Sequence, residues 1–331
     1  MEIDFISNLV GEIFIMNQKE LRKYKKNNLA ALFKITSRCN DFCKFCIERK
    51  FIEAERNDLS FEEIKNNFKY LKDNFSLDYL VITGGEPTLH PDFLKIIDYF
   101  YDKGMEFRII TNLLRLKDKS FFKKILPYFS LNKNRIIGSV NDLPINKMAI
   151  DRIEGLKNVL KYKLPLMLIV VVYKDNLESL AELILYLANL FKEYKYNKSI
   201  NIELRLMYIE GTLKSLLKDS LPTDFKEIKK FVQKAVDTAD SLGVTTTLWN
   251  FPLCYLDKVP KLLDRTIQKR RQRKLLKVNK DFQLADIQTR DFEEYFRKSK
   301  DCLDCPYNNY CSGIDNAYIT KYHFPKFRPF Y

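Results

Sequence analysis

The chain has 331 residues, 46% of them hydrophobic and 30% charged, enough for one large core or a core with an appended module. Nine glycines and eleven prolines leave little material for low-complexity linkers, and no stretch approaches the ~18 consecutive apolar residues of a membrane span. The net charge is +14, but the lysines are spread along the whole chain, the pattern of a solvated basic surface more than of a nucleic-acid groove.

The segment Met1 to Val10 carries Glu2 and Asp4 and no basic leader, so it does not read as a signal peptide, and the cytoplasm is the expected compartment. Seven cysteines in such a chain, most of them clustered, argue for metal ligation over disulfides. Residues 1–29 form a mixed lead-in, with a strand-like run at 12–16, and carry no assigned chemistry. Residues 30–210 alternate strand and helix signals. The strand 31–36 is followed by a polar loop with three cysteines. Ser60 and Glu63 form a capping box that starts a helix with apolar positions Phe61, Ile64, Phe68 and Leu71. A buried-looking strand at 79–83 ends in Gly84-Gly85-Glu86-Pro87. Then come a helix over 92–101, a strand at 107–111 ending at Asn112, a helix over about 119–129 and a strand at 135–140 with Asn141 after it. A helix over about 146–162, a strand at 166–173, a helix over about 177–193 and a strand at 200–208 complete the series.

Six β–α repeats in one register predict an α/β fold, a partial (β/α)6 barrel of parallel strands with helices outside. Ligands are then expected at the C-terminal strand ends, where the cysteine loop, residues 84–87, Asn112, Ser139 and Asn141 all fall. Residues 211–331 read as a separate C-terminal module. It opens with an amphipathic helix over 224–242 ended by Gly243. The β-rich run 244–249 and Cys254 follow. A basic run at 265–277 has a helical pattern and reads as a solvated face.

The cysteines Cys39, Cys43 and Cys46 are spaced C-x3-C-x2-C on one loop at a strand end. Three thiolates so placed can hold three irons of a four-iron cluster and leave the fourth open to a ligand. A structural zinc needs four ligands, and the chain has only two histidines, His90 and His323, to help supply the last.

The motif, with Phe45 before its last cysteine, together with Gly84-Gly85-Glu86-Pro87 at the end of the second strand, resembles the signature of the radical S-adenosylmethionine (SAM) superfamily. The resemblance covers about residues 30–210. It implies that Cys39, Cys43 and Cys46 bind a [4Fe–4S] cluster and that SAM chelates the fourth iron. Reductive cleavage of SAM then yields a 5′-deoxyadenosyl radical that abstracts a substrate hydrogen. By the same resemblance Glu86, with the backbone of Gly84 and Gly85, holds the methionine amine, and Pro87 completes the motif. Ser139 and Asn141 contact the ribose and Phe45 lies near the adenine. Arg205 either meets the SAM carboxylate or pairs with Glu203. An electron donor such as flavodoxin or ferredoxin is implied as a partner.

Near the C-terminus, Cys302, Cys305 and Cys311 give C-x2-C-x5-C. This resembles part of the SPASM/Twitch extension of radical SAM enzymes, which holds auxiliary four-iron clusters. Where the full pattern continues x3-C, Asp315 stands instead, so one auxiliary cluster is expected, with Cys254 as its fourth ligand. Cys254 can alternatively donate a hydrogen atom to a substrate radical or lie as an inert buried thiol, and a zinc ribbon is the competing use of the group. Three cysteines plus four account for all seven. The resemblance implies modification of a ribosomally made peptide, by cross-link, thioether or epimerisation. Small molecules (nucleotides, sugars, amino acids) or tRNA are alternative substrates, and a non-catalytic zinc protein is the remote one.

Overall fold

A computed structural model describes residues 29–46, 48, 58–130, 133–198, 201–206, 225–252, 275–278, 284–286, 296–311 and 313–322. Seven strands run parallel in one sheet: β1 (Leu29–Thr36), β2 (Leu77–Gly84), β3 (Phe107–Thr111), β4 (Arg135–Ser139), β5 (Leu166–Val172), β6 (Asn201–Leu206) and β7 (Thr245–Trp249). Each strand pairs with the next in sequence, so the sheet grows at one edge. The crossover helices are α1 (Phe61–Asn74), α2 (Phe93–Asp102), α3 (Lys119–Ser130), α4 (Lys147–Lys161), α5 (Leu180–Glu193) and α6 (Phe225–Ser241). Parallel strands cannot be joined by tight hairpins, and these helices supply the long return path.

The sheet is open, a partial barrel, and it is wider than six repeats. At one edge the run Thr245–Trp249 adds to β6, because its β-branched residues pair in register from Asn201↔Thr245 to Arg205↔Trp249. At the other edge β8 (Leu275–Val278) lies parallel to β1, and β9 (Leu284–Asp286) lies antiparallel to β8. The helical reading of the basic run is therefore wrong at its C-terminal end. Leu275, Leu276 and Val278 complete the ladder along β1, whose edge would otherwise be left without partners. The rest of that run lies outside the described residues, as does the strand-like lead-in. No helix among the described residues is long and apolar enough to cross a membrane.

Strand alternation sorts the side chains onto two faces. Phe33, Ile35, Leu80, Ile82, Ile109, Ile136, Leu168, Val170, Ile202 and Leu204 pack under the helices in one continuous core. The opposite face carries a smaller apolar group, Ile137, Met167 and Ile169, flanked by Ile110 and Val171. The expected capping box at α1 is present: the Ser60 hydroxyl accepts from the Glu63 amide while the Glu63 carboxylate accepts from the Ser60 amide. A short antiparallel pair, β10 (Phe296–Arg297) and β11 (Ile314–Asp315), brackets the second cysteine group, and α7 (Asn316–Tyr322) follows it. Ile314 and the fully buried Tyr318 belong to the main core, so this segment is docked on the barrel.

Candidate functional site

The loop 37–46 leaves β1 at the C-terminal rim and carries Cys39, Cys43 and Cys46, all half-buried and in no disulfide. The loop's root is tied down first. Asp58 forms an isolated bridge with Thr36, accepts from the Thr36 hydroxyl at 2.5 Å and accepts from Arg38 Nε at 2.8 Å. Burial works against the Asp58 carboxylate, but these bonds hold it below the usual range. Further along, the Cys46 amide donates to the Cys43 carbonyl at 3.2 Å and closes one turn between the second and third cysteines.

The Gly84-Gly85-Glu86-Pro87 segment lies against this loop. The Gly85 amide donates to the Thr36 carbonyl at 2.8 Å and the Glu86 amide to the Arg38 carbonyl at 2.6 Å. A Cβ at Gly84, whose φ is +145°, would sit 2.2 Å from the Thr36 oxygen; one at Gly85 would sit 2.3 Å from the Arg38 oxygen. The two glycines are therefore needed for the close approach of the two loops.

Glu86 is 1% exposed. Its Oε1 accepts from the Thr88 hydroxyl (2.6 Å), the Thr111 hydroxyl (2.8 Å) and the Thr88 amide (3.3 Å); its Oε2 accepts from the Asn112 amide (2.7 Å). Burial pushes the carboxyl upward against the pull of these four bonds. The carboxylate thus joins the ends of β2 and β3. Asn112 passes the connection on: its side-chain amide donates to Asn40 Oδ1 at 2.8 Å, next to Cys39. From α4, Arg152 donates through Nη2 to the Asp41 carboxylate and through Nε to the Asn112 carbonyl at 3.2 Å.

The remaining expected site residues are placed as follows. Phe45 is half-buried and packs on Tyr173 with ring centroids 4.7 Å apart; Tyr173 donates to Asp142 at 2.7 Å. Pro87 is buried and opens a short 3-10 turn, 87–89. Ser139 is half-buried at the end of β4. Asn141 is buried, its side-chain oxygen accepting from the Val171 amide at 2.8 Å and its carbonyl from Asn176, so it fastens the β4 exit to β5. Arg205 donates through Nε to the fully buried Glu203 at 2.6 Å, which is the pairing alternative read from the sequence. Cys254 lies outside the described residues.

Arg152 and Asp41 escaped the sequence reading. The available signal was Arg152's place on the apolar stripe of α4, between Ala149, Ile153 and Leu156.

The donor chemistry suits an iron–sulfur cluster: Cys39, Cys43 and Cys46 put three thiols on one short loop, the ligand type such clusters take. Burial pushes the Cys39 and Cys43 thiols up; at Cys43 the Asp41 charge adds to the rise and Arg152 opposes it. A thiolate at such a place needs positive charge beside it, which iron supplies. In the second group the Gly313 amide donates to Cys311 Sγ at 3.4 Å, and Ser299 Oγ and Cys302 Sγ lie 3.5 Å apart, within hydrogen-bond reach.

Comparison with known proteins agrees with this geometry. Residues 33–187 match the model of the radical SAM superfamily. An S-adenosylmethionine-dependent nucleotide dehydratase of Selenomonas ruminantium is 40% identical over 24% of this chain and 27% of its own length. A putative glycyl-radical enzyme activating enzyme of Methanocaldococcus jannaschii is 25% identical over 68% of this chain and 91% of its own. A probable GTP 3′,8-cyclase of Saccharolobus islandicus is 30% identical over 60% of this chain and 63% of its own. Among solved structures, Streptococcus suis SuiB bound to precursor peptide SuiA superposes with a TM-score of 0.60 at 14% identity, covering 95% of this chain and 77% of SuiB. The anSMEcpe enzyme with bound AdoMet gives 0.55 at 16% identity, covering 87% and 89%. At these identities the structural matches speak for the fold.

Proposed function

This chain belongs to the radical SAM superfamily through its residues 33–187, and we propose that it is a peptide-modifying member with a second, auxiliary cluster. As a radical SAM enzyme it uses a [4Fe–4S] cluster and SAM; the substrate and the second cluster are our reading. The observation that carries the assignment of residues is the pair of backbone bonds fastening Gly85 and Glu86 to Thr36 and Arg38, which brings both motifs to one rim. Cys39, Cys43 and Cys46 hold the cluster. The rim formed by Gly84, Gly85, Glu86 and Pro87 receives the methionine end of SAM, Ser139 and Asn141 lie on the ribose side, and Phe45 lies on the adenine side. The chemistry supplied by such a centre is one-electron cleavage of SAM to a 5′-deoxyadenosyl radical.

In this reading Glu86 shapes the methionine site from behind, because its four donors occupy the carboxylate. Cys302, Cys305 and Cys311, with Cys254, hold the second cluster. A flavodoxin or ferredoxin supplies the electrons, and the reducing cytoplasm keeps the cysteines out of disulfides.

Two lines favour a peptide. SuiB, which matches nearly the whole chain in fold, was solved with a precursor peptide. Three cations on the face opposite the main core are matched by carboxylates: Lys34 with Glu48 at 2.5 Å, Arg108 with Glu106 at 3.3 Å and Arg205 with Glu203 at 2.6 Å. A triphosphate would have to compete with those partners, while the apolar group around Ile137, Met167 and Ile169 suits side chains. The second reading, a nucleotide substrate, draws on the dehydratase and cyclase relatives.

Anaerobic reconstitution tests both levels. With dithionite and SAM the wild-type chain forms 5′-deoxyadenosine and the Cys39→Ala variant forms none; production by Cys39→Ala would refute the cluster assignment. Stimulation of that production by GTP, and not by precursor-type peptides, sinks the peptide reading.

A further inference from the structure

We infer that Arg152 and Asp41 are a positioning pair, which holds the cysteine loop in its ligating shape and balances the charge beside the cluster. The inference rests on the assignment of Cys39, Cys43 and Cys46 as cluster ligands. Asp41 stands between the first two of these cysteines, and Arg152 reaches it from α4, 111 positions further along the chain. Their side chains are 6% and 5% exposed. Two charges so deeply buried lose most of their hydration, and the Coulomb gain of pairing often does no more than offset that loss. Such a pair is a poor choice for stability alone, and apolar residues of similar size would serve the core better.

Its surroundings give it another use. Arg152 also holds the Asn112 carbonyl, while Asn112 holds Asn40 through its side chain and Glu86 through its amide. One guanidinium therefore fixes the cysteine loop directly at Asp41 and indirectly at Asn40. The site for Arg152 is itself prepared by Gly155, one turn further on. Its missing side chain lets the Leu113 carbonyl approach to 2.1 Å from where a Cβ would stand, so the loop after β3 lies flush on α4.

The electrostatic consequence is definite. The carboxylate lies beside the thiolates and disfavours adding an electron to the cluster; the guanidinium cancels that effect. Cluster potentials follow local net charge and hydrogen bonding. A purely structural pair and a charge-balancing pair differ in what happens when each half is removed alone. Losing structure from either side lowers iron retention in the same direction. Losing charge shifts the potential in opposite directions.

The test uses the full-length chain, reconstituted anaerobically, as wild type, Asp41→Asn, Arg152→Gln, Arg152→Lys and the double Asp41→Asn/Arg152→Gln variant. Iron and sulfide are counted, and the midpoint potential of the first cluster is titrated by the electron paramagnetic resonance signal of its reduced form. A Cys302→Ala background keeps the second cysteine group out of that signal. Expected is a higher potential for Asp41→Asn, a lower one for Arg152→Gln, and a return towards wild type in the double variant. Arg152→Lys keeps the charge and should stay near wild type in potential while retaining less iron, because one ammonium cannot span Asp41 and the Asn112 carbonyl. If Arg152→Gln loads no cluster, Asp41→Asn against Arg152→Lys decides: a raised potential in the first only upholds the pair. Shifts of one sign in both single variants, or wild-type potentials and iron in all of them, overturn it. A wild-type chain that takes up no iron fails the underlying assignment and the pair together.

Discussion

At the scale of single residues, Glu86 stands out because it is buried beneath the rim and not exposed on it. Its carboxylate is sealed beneath the rim with four donors from Thr88, Thr111 and Asn112. Replacing it by alanine leaves these buried donors without an acceptor, and each such orphan costs about 1–3 kcal/mol. Glu86→Ala is therefore expected to lower stability by about 3–5 kcal/mol and to loosen SAM binding as a consequence. Denaturant unfolding of the apo chain, set beside SAM titration of the reconstituted one, checks this. A variant with wild-type stability and weakened SAM binding would show that the carboxylate meets the ligand directly. Glu86→Gln should lose less than alanine, since its amide oxygen still accepts while its amide nitrogen opposes the Asn112 amide.

At the level of elements, the site is assembled by loops that lean on one another, and glycine is used where they touch. Gly155 in α4 gives the cleanest case. In an exposed helix interior, glycine to alanine stabilises by about 0.5–1 kcal/mol. Here the new Cβ would meet the Leu113 carbonyl at 2.1 Å, a backbone atom that cannot swing aside. Gly155→Ala should reverse the usual sign and destabilise by about 1–3 kcal/mol. It should also move Asn112, and with it the contact to Asn40. A thermal melt reads the first effect and iron retention reads the second; a variant more stable than wild type would mean that the loop after β3 is not held as described. Leu113 itself adopts a left-handed backbone, with φ of 68°, to bring its carbonyl there.

For the molecule as a whole, the two cysteine groups stand on different supports. The first is on the rim of the parallel sheet, and the second is on a short strand pair whose Ile314 and following Tyr318 dock into the main core. They share no cysteine, so if the second group holds the proposed auxiliary cluster, the two should load independently. Fully reconstituted wild type should carry about eight irons per chain. Cys39→Ala and Cys302→Ala should each keep about four, measured as iron and sulfide per chain. Loss of all iron in either single variant, or zinc in place of iron, would contradict two independent clusters.

The sequence by itself determined the repeating β–α order, the two cysteine spacings, the Gly84-Gly85-Glu86-Pro87 motif at a strand end and the α1 capping box. These are local facts: periodicity, spacing and caps depend on neighbours within a few residues. It also placed the motifs at one end of the sheet, because parallel strands in a regular register all finish on one side. Only the tertiary structure decided that Leu275–Val278 is a strand, since its partner β1 lies 245 residues earlier (Ala30 opposite Leu275) and no local pattern could announce it. Only it decided that Gly84 and Gly85 make room for Thr36 and Arg38, that Glu86 faces inward and that Arg205 is taken by Glu203. The same holds for the Asp41–Arg152 pair, whose members meet across 111 positions. Burial and pairing of a charge are properties of whatever folds against it, and that is written in the whole chain and not in the residue's own neighbourhood.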